Sequence, residues 1–449
     1  MFIFKKYKSL PIAPRKFLNF SALNLISWQC IVGSVLVLFG RSIDMPHTWI
    51  GILQSFLPLS MFLVLLSIPA VEKFGPRRMI LTTWLLRNIS ATIVFLIPVA
   101  IYFGKKEMAW YFLMGSCLSF SIIRSLGVGA WYPWLHEIIP TKQLGTYFSV
   151  ESVYMQSLTV LVTLGVALLL GLLHGIERFY WVYGIGITAG LFSVWYASTI
   201  PGGEKAVQTK AKTQPFSALQ HAVKDSTYRG FILKAILSLS SLTWISFTSI
   251  LYLRDVLTIS DQTIMICLSS GALGVTTFVQ FCFKKVDQFS SQKTMALFMT
   301  VQATVGIVWC LLNPESKSAP IVAFVLVVIE AIINSGFVIL ASKAMMGLVP
   351  GEERAGYTSL WSAGQAVANG IPPILAGGLI GLFDLDGYHI CFGISAASAL
   401  IVAVFWTRFH AEEGTVPADI HHIIKTQQPL RTLQRVTWLL LGVKKENDK

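Results

Sequence analysis

The sequence PAVEKFGPRR occupies residues 69–78 and separates two long apolar blocks, residues 47–72 and 78–103. Each block has 26 residues, and a helix of that length, rising 1.5 Å per residue, spans a hydrocarbon core about 30 Å thick. Between them lie an acid, a glycine and three basic residues, and glycine suits a tight turn. The stretch therefore predicts two membrane-spanning helices joined by a short charged loop.

Ten further apolar blocks of similar length follow the same pattern. The chain of 449 residues is 54% hydrophobic and 13% charged, whereas soluble domains average about 25% charged residues. This composition excludes an ordinary soluble enzyme and a disordered chain. We expect an all-α polytopic membrane protein with 12 transmembrane helices. The predicted spans are residues 17–41, 47–72, 78–103, 108–133, 143–173, 178–200, 230–253, 261–284, 294–313, 319–347, 355–383 and 388–408.

The net charge of +13 is explained by loop topology, so a nucleic-acid partner is not expected. With the N-terminus in the cytoplasm, the inner segments carry 25 of the 35 Lys and Arg residues, the outer loops carry six and the spans carry four. Lys and Arg are enriched in cytoplasmic loops. The sequence therefore predicts cytoplasmic N- and C-termini and a multi-pass protein of the inner (plasma) membrane.

A long polar interruption divides the spans into two groups of six. We predict a basic cytoplasmic N-terminus at 1–16, a six-helix bundle at 17–200, a cytoplasmic linker at 201–229 and a second bundle at 230–408. The tail at 409–449 contains a predicted amphipathic helix that suits a membrane surface.

The two groups of spans also repeat each other. Pro140 and Tyr147 follow the fourth span, and Pro350 and Tyr357 follow the tenth span at the same offset of 210 positions. The charged loop at 69–78 has a counterpart containing Asp287, at an offset of 215 from Glu72. Parallel repeats of six spans are typical of secondary transporters.

On these features the chain resembles the major facilitator superfamily between about Phe17 and Arg408. Residues 69–78 are similar to the family's loop signature, and the span count, inner termini, central linker and parallel repeat agree with it. The resemblance implies two bundles that rock about a central site, with gating roles in the loops. The implied gating residues are Glu72, Lys73, Gly75, Arg77, Arg78 and Asp287. As an alternative, the basic residues among them only anchor the topology.

Ionisable residues inside the spans are candidate binding or coupling residues, because each costs at least roughly 2.5 to 3.5 kcal/mol to insert. Arg87 lies in the third span, Arg124 in the fourth, Glu151 in the fifth and Glu330 in the tenth, with Asn334 one turn further on. Arg124 and Glu151 lie at similar depth and are expected to pair if their faces meet. Such a pair either holds two helices together or lines a cavity.

Uncharged residues extend the list of candidates. Asn24 and Trp28 belong to a polar stripe on the first span, and the resemblance implies that the first and seventh helices line the central cavity. In the eleventh span, a break or a bend of the helix is predicted from the residues Gly370, Pro372, Pro373, Gly377 and Gly378.

We therefore predict a secondary transporter, a symporter or a uniporter, working by alternating access on a small organic solute. Arg87 and Arg124 favour an anionic group on the solute, and Glu330 or Glu151 is a candidate site for a coupling proton. The sequence has no phosphate-binding glycine loop and no zinc-protease motif, so we expect no cofactor, no bound metal and no enzymatic activity, and a monomer in the lipid bilayer. The alternative is a lipid-handling or signalling membrane protein that retains the transporter fold.

Overall fold

The apolar blocks form helices in the computed structural model of the chain, which describes residues 7, 10–139, 143–204, 215–286, 291–349 and 354–408. Within these residues the regular structure is entirely helical. The helices are α1 Ile12–Ile31, α2 Ser34–Ser42, α3 His47–Ser60, α4 Val64–Phe74, α5 Pro76–Ala91, α6 Ile97–Tyr102, α7 Lys106–Val128, α8 Trp131–Ile138, α9 Leu144–Leu172, α10 Glu177–Ser198, α11 Pro215–Lys224, α12 Ser226–Asp255, α13 Asp261–Val286, α14 Ser291–Leu311, α15 Ala319–Leu348 and α16 Arg354–Thr407. Short 3-10 helices at Met61–Leu63 and Thr92–Leu96 continue α3 into α4 and α5 into α6. The amphipathic helix predicted in the tail lies outside the described residues.

Eight stretches of the described chain are long and apolar enough to cross a membrane, judged by length and composition. One of them, Gly356–Thr407, has 52 residues, about twice the length that one crossing needs. Helices also occupy the predicted second, sixth and eighth spans, as α3 with α4, α10 and α13. The fold is therefore that of an all-helical membrane protein.

Many outward-facing side chains are large and apolar, as lipid contact requires. Leu161, Leu168, Trp181 and Trp195 are each about 60% exposed. Apolar exposure on this scale is unusual for a soluble monomer. It indicates a surface that lipid tails cover.

The first predicted span is broken where the sequence analysis expected one continuous helix. α1 ends at Ile31, and α2 begins at Ser34 after Gly33, which has φ +66°. Glycine adopts this left-handed conformation without the steric cost of a Cβ atom. Irregular backbone at membrane depth occurs where it lines a cavity or is buried in protein.

The break expected at Gly370–Gly378 is not present. α16 continues through Pro372 and Pro373, and its one non-helical residue is Asp384 (φ 47°, ψ −120°), which separates the predicted eleventh and twelfth spans. The small residues serve a close helix contact instead. A Cβ atom on Gly377 would lie 2.4 Å from the carbonyl oxygen of His47 on α3.

The two halves of the chain meet along two helix pairs, α3 with α16 and α9 with α13. In the first pair, Gly51 lies against the Pro373 carbonyl group, and the Ser55 hydroxyl donates to the carbonyl oxygen of Gly370. Small residues allow membrane helices to approach this closely. A cavity lies between these two contacts.

Candidate functional site

A cavity of about 600 Å³ lies between the two halves of the chain. The first half contributes residues of α1, α2, α3 and α7, and the second half contributes residues of α12, α13, α15 and α16. Its volume suits a small organic molecule. Of the residues that the sequence predicted for the site, Trp28, Arg124, Glu330 and Asn334 line this cavity.

Arg124 projects from α7 into the wall formed by the first half. Its guanidinium carbon lies 4.3 Å from the centre of the Trp28 ring, and its Nη1 atom lies 3.5 Å from the Met61 sulfur atom. An aromatic face attracts a cation but does not neutralise it. Within the part of the chain that the structure describes, no carboxylate forms an ion pair with Arg124.

The expected pair between Arg124 and Glu151 is not formed. Glu151 is half-buried on α9, one turn after Tyr147, and it does not line the cavity. Arg124 points instead toward Trp28 on α1 and Met61. The two residues lie at similar predicted depths, but the rotation of their helices directs them to different neighbours.

Glu330 lies on the opposite wall of the cavity and is 6% exposed. The Trp309 indole N–H donates a hydrogen bond to one carboxylate oxygen, and the Ser249 hydroxyl lies 3.3 Å from the other. No Lys, Arg or His of the described chain forms an ion pair with it. The cavity thus carries one basic and one acidic side chain, contributed by different halves.

Arg87 and Asn24 lie behind the cavity wall, inside the first half. Arg87 is fully buried, with its guanidinium carbon 4.4 Å from the Trp84 ring centre and 5.0 Å from that of Phe120. It donates to the side-chain oxygen of Asn24, which also accepts from the Trp84 indole N–H at 2.9 Å. Arg87 is near enough to Arg124 for the two cations to repel each other.

Several cavity residues were not identified from the sequence. Gln54 has a buried side-chain oxygen without a hydrogen-bond partner among the described residues, and Thr243 donates to the Asn369 side-chain oxygen at 2.9 Å. Gly33, where the first span breaks, also lines the cavity, next to Ser34 of the predicted polar stripe. The sequence signal for these polar side chains is an isolated amide or hydroxyl group inside an apolar span.

Asp255, at the end of α12, joins the halves at the end of the cavity that the sequence assigns to the outside. It accepts from Arg41 Nε at 3.1 Å and from the Tyr388 hydroxyl at 3.1 Å, and it lies 2.9 Å from His47 Nε2. Arg41 and His47 belong to the first half, and Asp255 and Tyr388 belong to the second. These contacts hold the outer ends of the two halves together.

A second carboxylate, Asp261 at the start of α13, extends this arrangement. It is 4% exposed and binds Arg178 of the first half and Arg254 of the second, the latter at 3.3 Å. Arg254 also donates to the carbonyl oxygen of Leu38. We call Asp255, Asp261 and their partners Arg41, His47, Arg178, Arg254 and Tyr388 the outer cluster. From the sequence alone, its arginines are charges of the predicted outer loops and carry no further role.

The predicted gating loop contacts the start of the central linker. Gly75 has φ +81°, and a Cβ atom there would lie 2.7 Å from the Glu204 carbonyl oxygen. Arg77 pairs with the Glu204 carboxylate at 3.1 Å and donates to the Ser198 carbonyl oxygen at 2.6 Å. Lys73 and Arg78 are exposed. Asp287 and the side chain of Glu72 lie outside the described residues.

Comparisons with known proteins agree with this architecture. A sequence model of the Major Facilitator Superfamily matches residues 235–443. No curated protein sequence matches the chain. Among solved structures, the nucleoside transporter NupG (D323A mutant) is 12% identical with a TM-score of 0.65, covering 89% of this chain and 100% of that chain.

A bacterial homologue of the iron transporter ferroportin is similar in two conformations. Its inward-facing structure is 14% identical with a TM-score of 0.69, covering 88% of this chain and 98% of that chain. Its outward-facing structure is 15% identical with a TM-score of 0.55, covering 86% of this chain and 99% of that chain. The TM-score is thus higher against the inward-facing structure than against the outward-facing one.

The Major Facilitator Superfamily model matches residues within the second half of the chain, and the solved transporters share their fold with nearly the whole chain. The chain therefore has the fold of these membrane transporters, and its second half is similar to the major facilitator superfamily.

Proposed function

We propose that the chain is a secondary active transporter of a small organic solute that carries an anionic group. The observation that carries this proposal is the Arg124 guanidinium, which lines the central cavity without a carboxylate partner among the described residues. A guanidinium is always charged and presents a planar fork that fits a carboxylate or a phosphate. The anionic group of the solute supplies the negative charge that no carboxylate of the described chain provides to Arg124.

Two neighbouring features support an anion at this place. α2 begins at Ser34 beside the cavity, and the N-terminus of a helix carries a partial positive charge and N–H groups without intrahelical partners. Arg87 adds a second positive charge behind Trp84 and Phe120. Half-helix ends that face anionic solutes are typical of broken transporter helices.

The proposed mechanism is alternating access between two six-helix bundles, with 12 spans and both termini in the cytoplasm of a cell whose inner membrane holds the protein. The bundles are residues 17–200 and 230–408, joined by the linker at 201–229. The outer cluster and the similarity to an inward-facing transporter support a conformation closed toward the outside. If the contacts of the outer cluster break and the cytoplasmic end of the cavity closes, the cavity becomes accessible from the outside.

Coupling to protons is part of the proposal. Glu330 and Glu151 are the carboxyl groups that lie inside predicted spans, and carboxyl groups at such depths form proton relays in pumps and transporters. A uniporter would need neither residue. If protons drive transport, we expect Glu330→Gln or Glu151→Gln to abolish accumulation driven by a pH gradient while leaving counterflow exchange.

A lipid-handling protein is the second candidate, because much of the cavity wall is apolar. Leu36, Val37, Leu53, Leu57 and Ile250 line it, and such a wall also suits an acyl chain. In this alternative a lipid phosphate, and not a soluble solute, would contact Arg124.

Ligand-induced thermal stabilisation of the purified protein tests the proposal and separates the two candidates. A panel of soluble carboxylates and phosphate esters is compared with their neutral analogues and with phospholipids, because a ligand that binds the folded state raises the unfolding temperature. We expect soluble anions to stabilise the wild type and the exposed control Arg229→Gln, and not Arg124→Gln. Stabilisation by lipids alone, or equal stabilisation of Arg124→Gln, would contradict the soluble-anion proposal.

A further inference from the structure

We propose that the transported solute is a zwitterion with an apolar body, whose anionic group contacts Arg124 and whose cationic group contacts Glu330. This inference rests on the proposed function and names the class of solute. It adds a second charge of opposite sign to the solute.

The acidic wall of the cavity lacks a cation, just as the basic wall lacks an anion. Glu330 contacts the Trp309 indole N–H and the Ser249 hydroxyl, and both are uncharged groups. Among the described residues, no basic side chain forms an ion pair with it. A buried charge that is stable in a protein is normally paired. A positive group on the solute would supply this partner in place of the coupling proton.

Glu330 also lies where a solute can reach it. Its side chain lines the cavity together with Asn334, one turn further along α15, and with Ser249 of α12. Asn334 is exposed, so its amide oxygen is available to a second N–H of an ammonium group. A carboxylate with a neighbouring amide oxygen can accept two of the three hydrogens of an ammonium group.

The two charges form no ion pair with each other, although both line the same cavity. Arg124 comes from the first half and Glu330 from the second. Together, Arg124 and Glu330 contribute no net charge to the cavity. A solute that is neutral overall, with its charges separated, matches both walls, whereas a simple anion would meet repulsion from Glu330.

The wall between the charges defines the body of the solute. Leu36, Val37 and Leu57 line it from the first half, and Leu242 and Ile250 line it from the second. These side chains favour an apolar body, because burying apolar surface is favourable and burying an unpartnered polar group is costly. The ligand class is therefore an amino-acid-like or short-peptide-like zwitterion with an apolar side group.

Matched sets of three compounds test the inference by binding to the purified full chain. Each set has one apolar body and presents both charges, the acid alone or the amine alone. One set is leucine, 4-methylpentanoate and 3-methylbutylamine; another is phenylalanine, 3-phenylpropanoate and 2-phenylethylamine; leucyl-leucine and its deaminated and decarboxylated forms make a third. We expect at least one zwitterion to bind the wild type about tenfold or more tightly than both relatives in its set.

Two isosteric variants assign the charges. In Glu330→Gln the zwitterion should lose its advantage over the acid, because its cationic group loses the carboxylate partner and the acid no longer meets repulsion from that carboxylate. In Arg124→Gln the zwitterion should lose its advantage over the amine. Glu330→Asp, which retains the charge, should keep a preference for the zwitterion. The control Glu315→Gln makes the same chemical change at an exposed loop position and should behave as the wild type.

The possible results separate the inference from the function on which it rests. If acids bind as tightly as zwitterions, or if an anion outside these sets binds and no zwitterion does, the inference is wrong and the anion-transporter proposal stands. If the preference for the zwitterion survives in a folded Glu330→Gln protein, the assignment of Glu330 is wrong. If no compound with an anionic group binds, both proposals fail.

Discussion

Asn24 illustrates how one side chain can satisfy two buried donors. Its side-chain oxygen accepts from the Trp84 indole and from the Arg87 guanidinium. We expect Asn24→Leu to leave both donors without a partner and to lower the free energy of unfolding by about 2 to 4 kcal/mol, since each lost acceptor exposes a desolvation penalty. The thermal midpoint of the purified protein in detergent measures this loss.

The control for this variant keeps the acceptor. Asn24→Asp retains a side-chain oxygen at the same place and brings a negative charge to Arg87, so it should fold at least as stably as the wild type. Equal stability of Asn24→Leu and the wild type would show that the two hydrogen bonds contribute nothing.

The sequence reveals how deep a residue lies in the membrane, and some of the residues that it predicted for the site line the cavity. Arg124, Glu330, Asn334 and Trp28 line the cavity, and each lies well inside a predicted span. Asn24 and Arg87 have similar depth, yet they face the interior of the first half. Depth follows from counting residues, whereas the rotation of a helix depends on packing against neighbours that one sequence does not reveal.

At the scale of elements, the contact of α3 with α16 depends on glycine. A Cβ atom on Gly51 would lie 2.1 Å from the carbonyl oxygen of Pro373. We expect Gly51→Ala to force the helices apart and to lower the free energy of unfolding by about 1 to 3 kcal/mol, as overpacked contacts do. Thermal unfolding of the purified variant measures the effect.

Gly378 provides the matched control on α16. It lies inside the helix, and no atom of a neighbouring element lies within 4 Å of the place where its Cβ would be. Alanine has a higher helix propensity than glycine, so Gly378→Ala should leave the free energy of unfolding unchanged or raise it slightly. If Gly51→Ala is as stable as Gly378→Ala, the close approach of the helices is not required.

The sequence also predicted most helix positions but not their interruptions. The third predicted span, residues 78–103, corresponds to α5 and α6 with a 3-10 turn at Thr92–Leu96 between them. The first span breaks at Gly33. Hydropathy averages over about 20 residues, so it locates a span and cannot detect a break of two or three residues, which depends on local backbone geometry.

At the scale of the whole molecule, the distribution of Lys and Arg predicts that both ends of the chain lie in the cytoplasm. We expect a fluorescent protein that matures only in the cytoplasm to be fluorescent when fused to either end. A phosphatase that is active only outside should be active when inserted after Lys105 in the exposed loop between α6 and α7. The reverse pattern would invert the predicted topology.

On the predicted topology, the outer cluster joins the two halves at the outer end of the cavity. Asp255 and Asp261 of the second half bind Arg41, His47 and Arg178 of the first. Replacing both carboxylates with amides removes the charge from these contacts and leaves side chains of the same size. We expect Asp255→Asn with Asp261→Asn to weaken closure on the outer side and to raise the population of the outward-open state.

The accessibility of one cavity residue from each side of the membrane tests the alternating-access account most directly. Asn334→Cys is labelled with a membrane-impermeant thiol reagent in vesicles of each orientation, with the unsubstituted parent as the background for the native cysteines. The account predicts labelling mainly from the cytoplasmic side, and added labelling from the outside when Asp255→Asn and Asp261→Asn are combined with it. Labelling mainly from the outside, or a pattern that the two substitutions leave unchanged, would contradict it.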